Sequence, residues 1–237
     1  MSSPAPIEAL VEELKAAFAA ERKRGEALDY VSQSGESFQR LDAAVRGAVD
    51  RFLVAPGGGF AAAAPYLNFN DTHYTRNLVA ENEDFELMVL CWGKGQGSRV
   101  HNHARSHGWV TALAGRVEET RYNNPRDGLH DYSAPTSPRE GPAPPPALPG
   151  VLAATAPCPE LQELGKVVGG PGALLYINDG IGLHAVRCAD DTNLEEGAVT
   201  LHLYAPPVRR VFLYEPEEDR VVQRVPGLYS RGGVRCQ

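Results

Sequence analysis

Three of the seven histidines in this 237-residue chain fall within one short stretch, His101-Asn-His103-Ala-Arg-Ser-His107. The stretch reads as extended and lies between Gly95 and Gly115, where tight turns are expected. Side chains two apart on a strand point to one face, so His101 and His103 would lie side by side. Two imidazoles on one face can grip one transition metal ion. Downstream, the glycine-rich run Asn178-Asp-Gly-Ile-Gly ends an apolar stretch, and His184 opens the next one. A lone histidine there would be structural; beside a His-x-His strand it becomes the natural third ligand. Three neutral imidazoles suit iron, zinc, copper or nickel, and ligand type alone does not choose among them. The competing reading is a polar hairpin whose histidines face water. His107 shares the parity of the pair, but a turn can intervene, so it is assigned a supporting or structural role. His73 and His130 fall in expected loops.

The elements that must hold these residues are mostly strands. Ile7, Leu10, Val11, Leu14 and Phe18 follow helical spacing, as do Leu41, Val45, Ala48, Val49 and Phe52, so residues 1–56 read as a helical part closed by Gly57-Gly-Gly. From Tyr74 onward, short β-rich runs alternate with turn residues: 74–79, 85–92, 109–112, 116–122, 173–177, 184–187, 199–204, 210–214 and 220–225. Many short strands of this kind indicate a sandwich or small barrel. Between them, residues 123–165 carry so much proline that they read as a surface insertion, part polyproline II.

Composition excludes several classes. The length fits one all-β domain, and 43% hydrophobic residues suffice for a sizeable core. A net charge of −7 without a basic cluster argues against nucleic acid and anionic membranes as partners. No apolar run approaches the roughly 20 residues of a membrane span. The N-terminal residues lack the basic and apolar regions of a signal peptide, so a cytoplasmic protein is expected, and it is expected to be a monomer. Cys91, Cys158, Cys188 and Cys236 form no CxxC pair and read as free thiols, Cys91 as a core residue.

Gly95, His101, His103 and Gly115 are arranged as in the first cupin motif, and His184 matches the histidine of the second. Gly108 stands where most cupins carry a carboxylate ligand, and Asp179-Gly-Ile-Gly departs from the usual second motif. More closely, the chain resembles the cysteine dioxygenases. The matching segments are Tyr74-Thr-Arg-Asn-Leu-Val, Leu87-Met-Val-Leu-Cys-Trp-Gly-Lys-Gly-Gln-Gly-Ser, His101-Asn-His-Ala-Arg-Ser-His-Gly, Tyr176-Ile-Asn-Asp-Gly-Ile-Gly-Leu-His and Thr200-Leu-His-Leu-Tyr-Ala-Pro-Pro. They are collinear over residues 74–207. The first 50 residues match less closely, and the proline-rich insertion is longer than the family's usual connection.

The resemblance implies a single cupin domain over 1–237, a jelly-roll-like β-barrel with N-terminal helices. It implies non-haem Fe(II) held by His101, His103 and His184, and conversion of L-cysteine with O2 to cysteine sulfinic acid. Three neutral ligands leave about three positions open for substrate thiolate, amine and O2. Both oxygen atoms end on sulfur, the sulfinate rung of thiol oxidation, without an external reductant. By the same resemblance Arg76 binds the substrate carboxylate through its planar fork, and Tyr74, two residues earlier, adds a hydroxyl. Tyr204 aims its hydroxyl at the substrate, and His202 orients Tyr204. Trp92 packs behind the ligands or serves only the core. The bond before Pro206 is cis in the family; here cis and trans stay open. Animal relatives carry a cysteine, linked to the active-site tyrosine, where this chain has Gly108, so Tyr204 is expected to be unmodified. The alternatives are a dioxygenase of another small thiol, such as 3-mercaptopropionate, for which the resemblance places Gln at position 76, and a non-catalytic metal-binding cupin.

Overall fold

The computed structural model of the protein describes residues 4–24, 35–125 and 151–236. Two helices come first, α1 (Pro6–Lys23) and α2 (Glu36–Val54). The strands are β1 (Thr75–Glu81), β2 (Glu86–Gly93), β3 (Val100–His101), β4 (His107–Ala114), β5 (Val117–Tyr122), β6 (Val151–Ala156) and β7 (Glu163–Gly169). They continue with β8 (Leu174–Ile177), β9 (Leu183–Cys188), β10 (Gly197–Ala205), β11 (Val211–Glu215), β12 (Arg220–Arg224), β13 (Ser230–Arg231) and β14 (Val234–Arg235). One sheet runs β14-β13-β1-β2-β10-β4-β8 and the other β6-β12-β11-β3-β9-β5-β7. This is the expected mainly β, jelly-roll-like barrel with N-terminal helices. Among the described residues no helix is long and apolar enough to cross a membrane.

Period-two alternation sorts the first sheet into two buried faces. On β2, Leu87, Val89 and Cys91 pack outward with Leu10, Leu14, Phe18, Leu41, Val45 and Phe52 of the helices. Met88, Leu90 and Trp92 point into the barrel. On β10, Val199, Leu201 and Leu203 face the helices, so Thr200, His202 and Tyr204 must face the barrel interior. All nine residues of β10 are buried, as befits a central strand covered on both sides. Each fully buried Leu, Val or Phe contributes about 1.5–3 kcal/mol, so the helices hold the inward face of β10 through its apolar back.

One sequence expectation changes. Residues 126–150 of the proline-rich insertion lie outside the described residues, but β6 and the first residues of β7 fall within the expected 123–165 span. β6 pairs with β12 and β7 with β5. Half of β6 is alanine, with only Val151 and Thr155 β-branched, and the exposed edge strand β7 has no buried face to produce alternation. Arg76 sits on β1, between β13 and β2.

Helix α2 also joins the sheet by a polar contact: the buried Trp109 indole N–H donates to Asp42 Oδ1 at 2.8 Å. Asp42→Ala leaves that donor unsatisfied and should cost about 1–3 kcal/mol. Asp42→Asn keeps an acceptor and should cost less than half as much. Urea unfolding checks both; equal stability of Asp42→Ala and the parent would disprove the contact's role.

Candidate metal centre and substrate cavity

The ligand nitrogens of His101, His103 and His184 lie within 4.8 Å of one another. His101 on β3 is the register partner of His184 on β9, so the two rings share the barrel's inner face. His103 arrives differently from the strand expectation. β3 ends at His101, and the chain turns through Ala104 and Arg105, both at positive φ (51° and 67°). Asp179 holds that turn, accepting from the His103 N–H (2.6 Å) and the Arg105 N–H (2.8 Å). The turn breaks the parity that would carry His107 to the same face. His107 instead stacks on Phe38 of α2 (centroids 4.9 Å) and contacts the Tyr176 hydroxyl, on the opposite side of the sheet from the cluster.

Each outer ring nitrogen shows how the inner one is presented. His101 Nδ1 donates to the Arg99 carbonyl at 2.8 Å, and His184 Nδ1 donates to Glu119 Oε1 at 2.8 Å. Both contacts put the proton on Nδ1 and leave Nε2 as a lone pair. Glu119 and His184 are each 1% exposed, and Arg121 holds the other carboxylate oxygen at 2.8 Å. Burial raises the Glu119 pKa, and the Arg121 guanidinium works against that rise. Burial lowers the histidines: His101 to about 4, His103 and His184 well below their ordinary value. All three are therefore neutral and able to ligate at neutral pH.

His103 Nε2 and His184 Nε2 are 3.1 Å apart. Two nitrogens bound at right angles to one ion with bonds of about 2.1 Å lie about 3.0 Å apart. His103 and His184 are thus spaced to share one transition-metal ion, with a lone pair of His184 turned inward and, among the described residues, no hydrogen bond to His103 Nδ1.

A cavity of about 640 Å³ opens over these rings. Tyr74, Arg76, Trp92, His202 and Tyr204 also line it. On β10 a hydrogen-bonded chain runs along the inner face. Trp92 Nε1–H donates to Thr200 Oγ1 (2.8 Å), Thr200 Oγ1 contacts His202 Nε2 (2.8 Å), and His202 Nδ1 contacts the Tyr204 hydroxyl (2.8 Å). Indole can only donate, so the Thr200 hydroxyl accepts from Trp92 and keeps its own proton and a second lone pair for His202 Nε2. The directions beyond Thr200 follow the His202 tautomer: with the proton on Nδ1 it donates to the Tyr204 oxygen and turns the Tyr204 proton into the cavity, and with the proton on Nε2 it accepts from Tyr204. Burial takes His202 down to about 3 and pushes the Tyr204 hydroxyl up, so neither titrates near neutrality.

Arg76 stands close enough to disfavour protonation of His101 and His202 and to favour ionisation of Tyr204. Its nearest carboxylate, Glu86, is 3.8 Å away, and burial raises the Glu86 pKa. Tyr74 stacks on Trp92 (centroids 4.5 Å) at the cavity wall, so Trp92 supports both the tyrosine and the Thr200 chain. Gly108 is the register partner of Tyr204 on the adjacent strand. A Cβ placed there would meet Tyr204 Cε1 at 3.3 Å. The Ala205–Pro206 bond is cis.

Comparisons with known proteins bear on this geometry. A family model described as cysteine dioxygenase type I matches residues 58–138. The Homo sapiens protein named cysteine dioxygenase type 1 is 31% identical over 173 residues, 73% of this chain and 70% of that protein. The chain belongs to the cysteine dioxygenase family. The Danio rerio protein of the same name is 35% identical over 143 residues, 60% of this chain and 56% of that one. Among solved structures, a Klebsiella pneumoniae protein with a double-stranded β-helix domain covers 65% of this chain and 94% of its own at 15% identity and a TM-score of 0.39. Within the cysteine dioxygenase family frame, sequence reasoning missed Glu119, Arg121, Asp179 and Thr200. Only Thr200 carried a usable signal, the alternation Thr200-x-His202-x-Tyr204.

Two predictions follow from these contacts. Loss of a carboxylate behind a ligating histidine typically costs about 10–100-fold in metal affinity. Glu119→Ala should fall in that range and Glu119→Gln, which keeps an acceptor, should fall less, measured by competition with a ferrous chelator. A change below about twofold in Glu119→Ala would show that His184 needs no such support.

The second concerns pH. The folded His202 pKa of about 3 lies below the unfolded value of about 6.5. The unfolded chain binds the extra proton between these values, so the neutral ring's contribution is intact above the unfolded value and shrinks as pH falls. In metal-free protein, the unfolding free energy of the parent minus that of His202→Gln should drop by about 1.4 kcal/mol per unit from about pH 6 to about pH 4. A flat difference would mean that His202 is charged in the fold.

Proposed function

We propose that the protein is a non-haem Fe(II) thiol dioxygenase that converts L-cysteine and O2 to cysteine sulfinic acid. The observation that carries the reading is one cavity holding three convergent neutral imidazoles, a buried tyrosine hydroxyl held by a neutral histidine, and an arginine whose Glu86 carboxylate lies 3.8 Å off. Membership of the cysteine dioxygenase family supports the substrate class. His101, His103 and His184 would hold the iron, whose open positions and one-electron chemistry let O2 meet the thiol.

This chain's residues supply position and protons. The Arg76 fork would take the substrate carboxylate, with the Tyr74 hydroxyl beside it. Binding an anion there also relieves the guanidinium of its distant pairing with Glu86. The Tyr204 hydroxyl would donate to the same carboxylate or to an oxygen at sulfur, with His202 carrying its proton on Nδ1 and donating to the Tyr204 oxygen. A buried, neutral His202 holds the hydroxyl in place over the physiological range. Both atoms of O2 end on sulfur and no external reductant enters, so nothing in the cavity need deliver electrons from outside.

Tyr204 acts here as an unmodified tyrosine. Cys91 packs outward toward the helices, and Gly108, the register partner of Tyr204, has no side chain to join to its ring. An intact mass equal to the sequence mass is expected before and after turnover.

Anaerobic loading with Fe(II) followed by oxygen uptake on a thiol panel tests the reading. Cysteine should be consumed with one O2 per sulfinate formed, faster than 3-mercaptopropionate. His184→Ala should lose iron and turnover together. Arg76→Gln leaves a buried carboxylate without its fork, about 2–5 kcal/mol, and should reduce cysteine use by at least about 30-fold while raising the relative rate of 3-mercaptopropionate. Iron binding without oxygen uptake on any thiol would turn the assignment to a non-catalytic metal-binding cupin.

A further inference from the structure

One buried charge beside the cavity takes no part in the chemistry above. Glu86 opens β2 with the parity of Met88, Leu90 and Trp92, so it projects into the barrel. Its register partner is Tyr204 on β10, and it is 5% exposed. Arg76 pairs with Leu90, four residues further along β2. The two side chains reach toward each other along the inner face, which brings Arg76 Nη2 to 3.8 Å from Glu86 Oε1. The same oxygen accepts from the Val208 N–H at 3.2 Å. Arg76 and Tyr204 line the cavity and Glu86 does not, so the carboxylate stands behind the guanidinium.

At that separation the pair is too long for a hydrogen bond, yet two opposite charges in a buried site still attract. Among the described residues Glu86 is the only carboxylate paired with Arg76. Its charge also reaches the substrate side of the guanidinium: Arg76 favours ionisation of the Tyr204 hydroxyl, and Glu86 opposes it. A substrate carboxylate that meets Arg76 beside Tyr204 enters the same opposing field. Two carboxylates on one guanidinium share its attraction and repel each other across it. Burial raises the Glu86 pKa, Arg76 and the Val208 N–H work against that rise, and Glu81 of β1 adds to it. A guanidinium drawn away toward substrate therefore leaves Glu86 less well supported.

We propose that Glu86 competes with the substrate carboxylate for Arg76 and so sets how strongly the site prefers thiols that bear one. It is a specificity residue that acts through Arg76 and touches no reacting atom. Cysteine sulfinic acid keeps the same carboxylate, so the same competition loosens the product. The proposal rests on the assignment of Arg76 to the substrate carboxylate.

Calorimetric binding to the iron-loaded protein under anaerobic conditions tests it apart from turnover. The probes are L-cysteine and cysteamine, which share the thiol and the free amine and differ in the carboxylate. Glu86→Gln keeps the shape and an acceptor for the Val208 N–H while removing the charge. Its cysteine-to-cysteamine affinity ratio should exceed that of the parent by about tenfold, through tighter binding of cysteine. Glu86→Met, neutral and without an acceptor, should raise the ratio as well, which separates charge from hydrogen bonding. Glu86→Asp, which keeps a charge on that side, should stay nearer the parent. Melting curves confirm folding, and damage to packing would weaken both probes instead of tightening one. Arg76→Gln should remove the preference for cysteine. A ratio unchanged or lowered in the neutral Glu86 variants, with the preference lost in Arg76→Gln, would overturn the proposal and leave the assignment of Arg76 standing. A preference that survives Arg76→Gln would sink both. If the ratios behave as expected but no thiol consumes O2, the role of Glu86 stands and the dioxygenase reading fails.

Discussion

Three imidazoles can converge in a buried pocket only if each stays uncharged and turns a lone pair inward. This constraint organises most of the structure around the centre. A buried imidazolium is expensive, and three of them within a few ångströms would repel as well. Neutrality leaves each ring with one N–H to place, and that placement decides which nitrogen can bind a metal. The Arg99 carbonyl takes the proton of His101, and the Glu119 carboxylate takes that of His184. His103 has no such acceptor on Nδ1 and is held through its backbone, by Asp179. Two ligands are fixed by side-chain tautomer and the third by a loop.

The support behind His184 bears on the charge of the centre. A ligand set of three histidines brings no negative charge of its own. Glu119 brings one carboxylate to the far side of a ligand ring, and Arg121 balances it there. Positive charge on a bound ion would draw the His184 proton toward Glu119, and the ligand would gain basicity. The site then has some of the electrostatic character of a carboxylate-ligated metal while leaving that coordination position open. The position at Gly108, where a cupin carboxylate would sit, faces the ring of Tyr204 and could not hold a larger side chain without displacing it or Ile177.

The sequence made legible what strand alternation encodes. Thr200, His202 and Tyr204 share a face because their spacing is two, and the apolar residues between them identify the side that the helices cover. The three-histidine cluster was legible from residue type and spacing, although His103 reaches it through a turn that spacing does not reveal. Glu86, Glu119 and Arg121 were not legible, because their positions depend on which strands become neighbours and in what register. β9 beside β5 brings Arg121 opposite His184, and β10 beside β2 brings Glu86 opposite Tyr204. Nothing local to Glu119-Thr-Arg121 distinguishes it from a charged surface strand. His107 lies off that face because two left-handed residues reset the alternation, the turn that its parity alone left open.

The hydrogen-bonded chain explains why the back of β10 matters to its front. Trp92 can only donate, so it takes one lone pair of Thr200 and anchors the chain that runs through His202 to Tyr204. Trp92 is itself held on β2, whose other face packs on the helices with Leu87, Val89 and Cys91. Movement of β2 relative to β10 by a fraction of an ångström would lengthen the contact at Thr200 and loosen the support of His202. Helix packing on one side of the sheet and the position of the Tyr204 hydroxyl on the other are therefore joined through the pairing of two strands. The helices, whose sequences match the family less closely, still bear on the hydroxyl that Tyr204 presents.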